Sequence, residues 1–170
     1  TRQRFSLIDF LFGFSTIDAL DIYITERIGF FDSVVSTELS AGAVTSSGLG
    51  NLVIRAGDTW KYWEGTTDPA GGPLDWTKKG YLTTGWLQGA TGIGYGDGDD
   101  ATILDDMEGG YTTVYARRSF NLSSPGSISF LALQIDYDDG FVAYLNGVEV
   151  ARRYVAADPV LFDTVTDGGR

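Results

Sequence analysis

Three aspartates, Asp97, Asp99 and Asp100, stand at the end of the run Gly92-Ile93-Gly94-Tyr95-Gly96-Asp97-Gly98-Asp99-Asp100. Glycines let such a loop wrap carboxylate and carbonyl oxygens around a hard cation, so these three acids are the metal candidates, and calcium is the cofactor they suit in a structural role. As an EF-hand loop the run fails, because Thr102 stands where the sharp-turn glycine is required and Ala101 replaces a ligand. The plainer reading of the run is a solvated acidic turn. Asp136, Asp138 and Asp139 form a second acidic group, just ahead of Gly140. Like charges this close call for a cation or solvent, while the plain alternative is that Asp138-Asp139-Gly140 only shapes a turn. The third group is aromatic. Tryptophan and tyrosine rings stack on the C–H faces of sugars while nearby carboxylates take the hydroxyls. Trp60, Trp86 and Tyr115 lie inside strand patterns and read as core. Trp63, Trp76 and Tyr137 lie near loops and, with Asp138 and Asp139, are the binding candidates.

Composition removes most other chemistry. The chain has 170 residues without a histidine or cysteine, which excludes a thiolate nucleophile, a Ser-His-Asp triad, a zinc finger and an iron–sulfur cluster. Two carboxylates suffice for a glycosidase, but nothing in the spacing sets Asp97, Asp105, Glu108 or Asp138 at a working separation. Gly92–Gly98 lacks the lysine and the helix of a phosphate loop. No catalytic residue is therefore assigned, and the chain is read as no enzyme. The formal net charge of −11 repels phosphate backbones and anionic lipid, which argues against nucleic acid and membrane surfaces as partners. No apolar run reaches the ~18–20 residues of a membrane helix. The nearest, Phe5 to Phe14, carries Asp9.

The elements that must position these groups are strands. Glycine, at 23 of 170 residues, is roughly twice its usual share of about 7%, which implies many turns. Leu20, Ile22 and Ile24 alternate with polar residues like a strand. Thr37 to Gly50 is small and polar and reads as a linker or long loop. Beyond it, strands are expected at Leu52–Arg55, Thr59–Glu64, Gly85–Gln88, Tyr111–Phe120, Ser127–Tyr137, Phe141–Leu145 and Val148–Arg152. Gly65 to Trp76, with two prolines and two more glycines, must be loop. Asn146-Gly147 suits a type I′ hairpin, since both positions tolerate positive φ. That register sets Leu145 opposite Val148 and Ala143 opposite Val150. It puts Phe141, Ala143, Leu145, Val148 and Val150 on one core face. Arg117-Arg118 and Arg152-Arg153 are expected to balance acids on strand faces.

Read in order, Trp60-Lys61-Tyr62, Trp76, Trp86, the Gly92–Asp99 run, Tyr115-Ala116-Arg117-Arg118-Ser119-Phe120 and Asp138–Arg152 (DDGFVAYLNGVEVAR) form one pattern. It resembles the galactose-binding-like jelly-roll domains, akin to carbohydrate-binding modules, of secreted bacterial proteins. The resemblance implies an all-β jelly-roll β-sandwich over residues 50–170, preceded by an apolar N-terminal extension and linker at 1–49. It also implies a non-catalytic extracellular or cell-surface module that binds carbohydrate or glycan, sometimes with a structural calcium. The adjacent Asp138-Asp139 is similar to the calcium-and-sugar loop of protective-antigen-type lectin domains. Such domains run on past the equivalent of Thr164 with further strands, so the expectation here is a sheet lacking its last strands. Something must then cover the edge. The N-terminal strands of the same chain or of a neighbouring subunit would do so. In the second case the chain is a structural subunit of an extracellular filament or surface layer, self-associating by strand complementation.

Overall fold

The computed structural model describes residues 3–7, 14–15, 19–23, 54–96, 98, 100–121, 132–137 and 139–167. Eleven strands run through these residues: β1 (Gln3–Leu7), β2 (Phe14–Ser15), β3 (Ala19–Tyr23), β4 (Thr59–Glu64), β5 (Leu87–Ala90), β6 (Ile93–Gly94), β7 (Thr102–Ile103), β8 (Val114–Arg117), β9 (Ala132–Tyr137), β10 (Phe141–Leu145) and β11 (Val148–Arg153). The helical content among them is one 3₁₀ turn, Asp75–Thr77. The protein is therefore all-β over its described residues, as its glycines and alternating apolar positions require. None of its described helical segments is long and apolar enough to cross a membrane.

The strands form three antiparallel sheets, in the orders β1-β9-β3, β11-β10-β2 and β5-β4-β8, with a short parallel pair β6-β7. Strand β2 also lies against β8, which brings the second and third sheets side by side. The strand expected around Leu20 and Ile22 is β3, and it pairs with one edge of β9 while β1 takes the other. The linker read at Thr37–Gly50 falls outside the described residues.

Alternation decides which face each side chain takes. Trp60 and Tyr62 of β4, Val114 and Ala116 of β8, and Phe141 and Ala143 of β10 point one way. There they meet Leu133, Ile135 and Tyr137 of β9 in the main apolar cluster. The intervening residues point the other way: Trp63, Tyr115, Val142 and Tyr144 join a second cluster with Trp76, Trp86 and Val155. Strand β10 (FVAYL) is thus buried on both faces from Phe141 to Tyr144. That explains why it is apolar at every position.

The Asn146-Gly147 hairpin forms as expected, with φ of 48° and 89°, and Leu145 does face Val148. One step further the register changes. Ala143 faces Ala151 and Tyr144 faces Glu149, so Val150 is an extra residue on β11. This β-bulge corrects the expected pairing of Ala143 with Val150. It lets two consecutive residues, Val150 and Ala151, reach the same main cluster. Val148 lies on the solvent side of the hairpin end, 66% exposed, and leaves the expected core face.

Candidate functional site

The second cluster is the candidate site, because two of the aromatic binding candidates meet there. Trp63 reaches it by being odd-numbered on β4, opposite Tyr115 of β8 on the same face. The segment 65–86 then crosses that face. Its path is set locally: Asp75 Oδ2 accepts the Gly72 N–H at 2.7 Å, and Asp75 Oδ1 pairs with Lys78 Nζ at 2.6 Å. Lys78, then the Gly72 N–H, hold the Asp75 carboxyl below the usual range. The 3₁₀ turn that follows delivers Trp76 beneath the loop.

Ring contacts bind the cluster together. Trp76 meets Tyr115 edge-on at 5.1 Å and Tyr144 at 5.6 Å between centroids. Trp86 lies 6.3 Å from Trp63 and 6.0 Å from Tyr81. Such tilted and edge-to-face pairs suit the ring quadrupole and add roughly 0.5–1.5 kcal/mol each beyond burial. The Trp63 indole N–H donates to the Thr67 carbonyl at 2.8 Å, which fixes the ring's orientation. Gly85, at φ 84°, passes over it: an added Cβ there would lie 3.7 Å from Trp63 Cζ3.

The polar parts of the cluster are mostly committed to structure. Tyr115 Oη donates to Asp68 Oδ1 at 2.9 Å, and Tyr81 Oη to the Ala70 carbonyl at 2.9 Å. Arg117 donates to the carbonyls of Trp76 and Lys78, and its guanidinium carbon stands 5.4 Å over the Tyr81 ring. Burial pushes the hydroxyls of Tyr115 and Tyr144 well up, with Asp68 adding to the first and Glu149 to the second. They stay protonated and able to donate across the neutral range.

The predicted site residues separate. Trp63 is half-buried at the rim of this cluster, but Trp76 is its floor, 2% exposed, with Tyr115 and Tyr144 against its ring. A ring so enclosed presents no open face to solvent, unlike the loop platform expected of it. Tyr137 lies on the opposite side of the β4/β8/β10 layer, in the main cluster, 3% exposed and 4.8 Å from Phe141. It fills the core because it is odd-numbered on β9, in step with Leu133 and Ile135. Asp139 is exposed in the β9–β10 turn at φ 60°. Asp138, Asp97 and Asp99 fall outside the described residues, and Asp100 is half-buried just ahead of β7. Among the described residues no group of three or more acids is arranged to hold a metal ion.

The arginine expectations divide too. Arg118 pairs with Asp58 at 3.1 Å and Arg152 with Glu149 at 2.7 Å, as strand-face balances, whereas Arg117 serves backbone carbonyls. Sequence reasoning missed Asp68, Tyr81, Arg117 and Tyr144 as members of one cluster. The signal for Tyr144 was the uninterrupted apolar run of β10. For Asp68, Tyr81 and Arg117 the relation exists only once the loop is folded over the sheet.

Comparison of the chain with protein-family models, with curated proteins and with solved structures yields no match.

Proposed function

We propose that this chain is a non-catalytic extracellular or cell-surface module, built on a galactose-binding-like jelly-roll sandwich, that binds carbohydrate or cell-surface glycan at its second aromatic cluster. The observation that carries the reading is Trp63: a half-buried indole, oriented by its bond to Thr67, at the edge of a group of aromatic rings. Half-buried Tyr81 stands beside it through Trp86, and Leu82 of the same loop is 80% exposed. Mostly apolar ring surface with a few fixed polar groups is what recognises the apolar face and hydroxyl rim of a sugar. Calcium on Asp97, Asp99 and Asp100 belongs to the proposal as a structural cofactor, and the Asp138-Asp139 turn as a second glycan contact. The test is retention on a panel of insoluble polysaccharides, with and without EDTA, for the wild type and Trp63→Ala. Retention lost in Trp63→Ala with the fold intact supports the site. A folded wild type that binds no glycan overturns the reading.

A second reading, a structural subunit of a filament or surface layer, is favoured by one observation. Strand β9 takes both its partners, β1 and β3, from residues 3–23. The same two strands given to a neighbour's β9 would link subunits head to tail, and such heterologous contacts continue into a fibre unless they close. Particle size across a concentration series separates the readings, since a monomer at high concentration excludes the filament.

A further inference from the structure

Residues 154–167 leave the end of β11 and return: the Asp167 N–H donates to the Tyr154 carbonyl at 2.9 Å, closing a compact loop at its base. Tyr154 has φ 51°, a left-handed conformation that bulky residues avoid, at the point where a hinge would lie. Val155, Val160 and Phe162 of this loop pack on the cluster of Trp76, Tyr115 and Tyr144. It is fastened there by side chains. Asp68 Oδ1, already holding Tyr115, accepts the Phe162 N–H at 2.8 Å. Thr112 and Thr113 hydroxyls donate to the Thr164 carbonyl at 3.3 and 3.4 Å, and Arg152 reaches the Val155 carbonyl at 3.0 Å. Beneath, Trp76 Nε1 and Tyr144 Oη are buried with no hydrogen-bond partner among the described residues, although both residues are only 2% exposed. Closing over two unsatisfied polar atoms is costly, and opening to a hydroxyl-bearing species relieves it.

We infer that residues 154–167 are a lid, hinged at Tyr154 and Asp167 and latched by Asp68, that opens as a unit over the Trp76–Tyr144 floor to admit a hydroxylated ring. For its ligand the inference rests on the glycan reading above; for the motion it does not. Native-state hydrogen exchange tests the motion without any ligand. The Phe162 amide, whose bond to Asp68 the opening breaks, is expected to exchange about tenfold or more faster than the amides of β8 and β10, whereas the Thr164 and Asp167 amides, bonded to Leu161 within the loop and to Tyr154 at its hinge, stay paired in the open state. In Asp68→Ala the Phe162 amide should speed up a further tenfold to hundredfold or so, while Asp68→Asn, which keeps an oxygen acceptor, changes it far less. Exchange of the wild-type Phe162 amide at the strand rate, or no faster in Asp68→Ala than in the wild type, overturns the lid.

The ligand is tested with Thr112→Cys/Thr164→Cys, in a chain that has no other cysteine. Polysaccharide retention by the reduced protein, lost on oxidation, supports entry beneath the lid. Equal retention in both states, with loss of free thiol showing that the cross-link has formed, overturns it and leaves Trp63 to decide the glycan reading. A wild type that holds no polysaccharide removes the ligand together with that reading, and exchange still decides the lid.

Discussion

Tyr115 and Asp68 are 47 residues apart in sequence and joined by one hydrogen bond, Tyr115 Oη to Asp68 Oδ1 at 2.9 Å. The bond ties the 65–86 crossing to the outer face of β8. Tyr115→Phe removes it without changing the packed ring. A hydrogen bond to a charged acceptor contributes about 1.5–3 kcal/mol, so the variant should lose stability of that order. Urea unfolding should show a lower midpoint at unchanged slope.

Burial raises the folded-state pKa of Tyr115 strongly and that of Tyr144 to about 12. Above the ordinary tyrosine value of 10.0 the unfolded chain gives up these protons first, so the folded state binds more of them. Stability must then fall as pH rises beyond that value. Absorbance titration should show Tyr115 and Tyr144 ionising late, as the protein unfolds. Tyr144→Phe should shift alkaline unfolding to higher pH.

Glu64 also has a raised pKa, from burial first and then from the negative charge of Asp106. Here the folded state holds its proton more tightly than the unfolded one. Stability is lost as pH rises through the window that starts at the ordinary value of 4.5 and ends at the raised value. Glu64→Gln should therefore melt higher than the wild type at pH 7. The difference should vanish below pH 4.5, where both chains are neutral at this position.

Two glycines make opposite demands. Gly57 has φ 82° with open space where a Cβ would stand, so Gly57→Ala should cost only the left-handed penalty, roughly 1–2 kcal/mol. Gly65 is not left-handed, but a Cβ there would overlap the Thr113 carbonyl that accepts its own N–H at 2.8 Å. Gly65→Ala must separate that pair and should destabilise more than Gly57→Ala in thermal melts.

Deleting residues 1–36 removes both partners of β9, whose Leu133 and Ile135 are 0% and 1% exposed in the main cluster. If the strands act within their own chain, the truncated protein should lose its cooperative melting transition and aggregate. A truncated chain that stays folded and monomeric, while the full chain forms larger particles, would instead place the strands in a neighbour.

What the residues dictated by themselves was local. Turn chemistry placed the Asn146-Gly147 hairpin, because few side chains accept positive φ twice in succession. Aromatic and apolar runs bounded by turn residues marked Thr59–Glu64 and Phe141–Leu145 to the residue. Whether an apolar strand has one buried face or two depends on what folds over it, and that is a tertiary matter. Tyr137 and Trp76 looked like loop-side aromatics, yet one fills the main core and the other the floor of the second cluster. The bulge at Val150 likewise answers to packing, since two adjacent side chains had to reach one cluster. Asp68 meets Tyr115 and Phe162 across 47 and 94 residues, and no pattern along the chain carries such a contact. A hydrogen bond of that span exists only after loop and sheet have been brought together, and so only the folded structure could decide it.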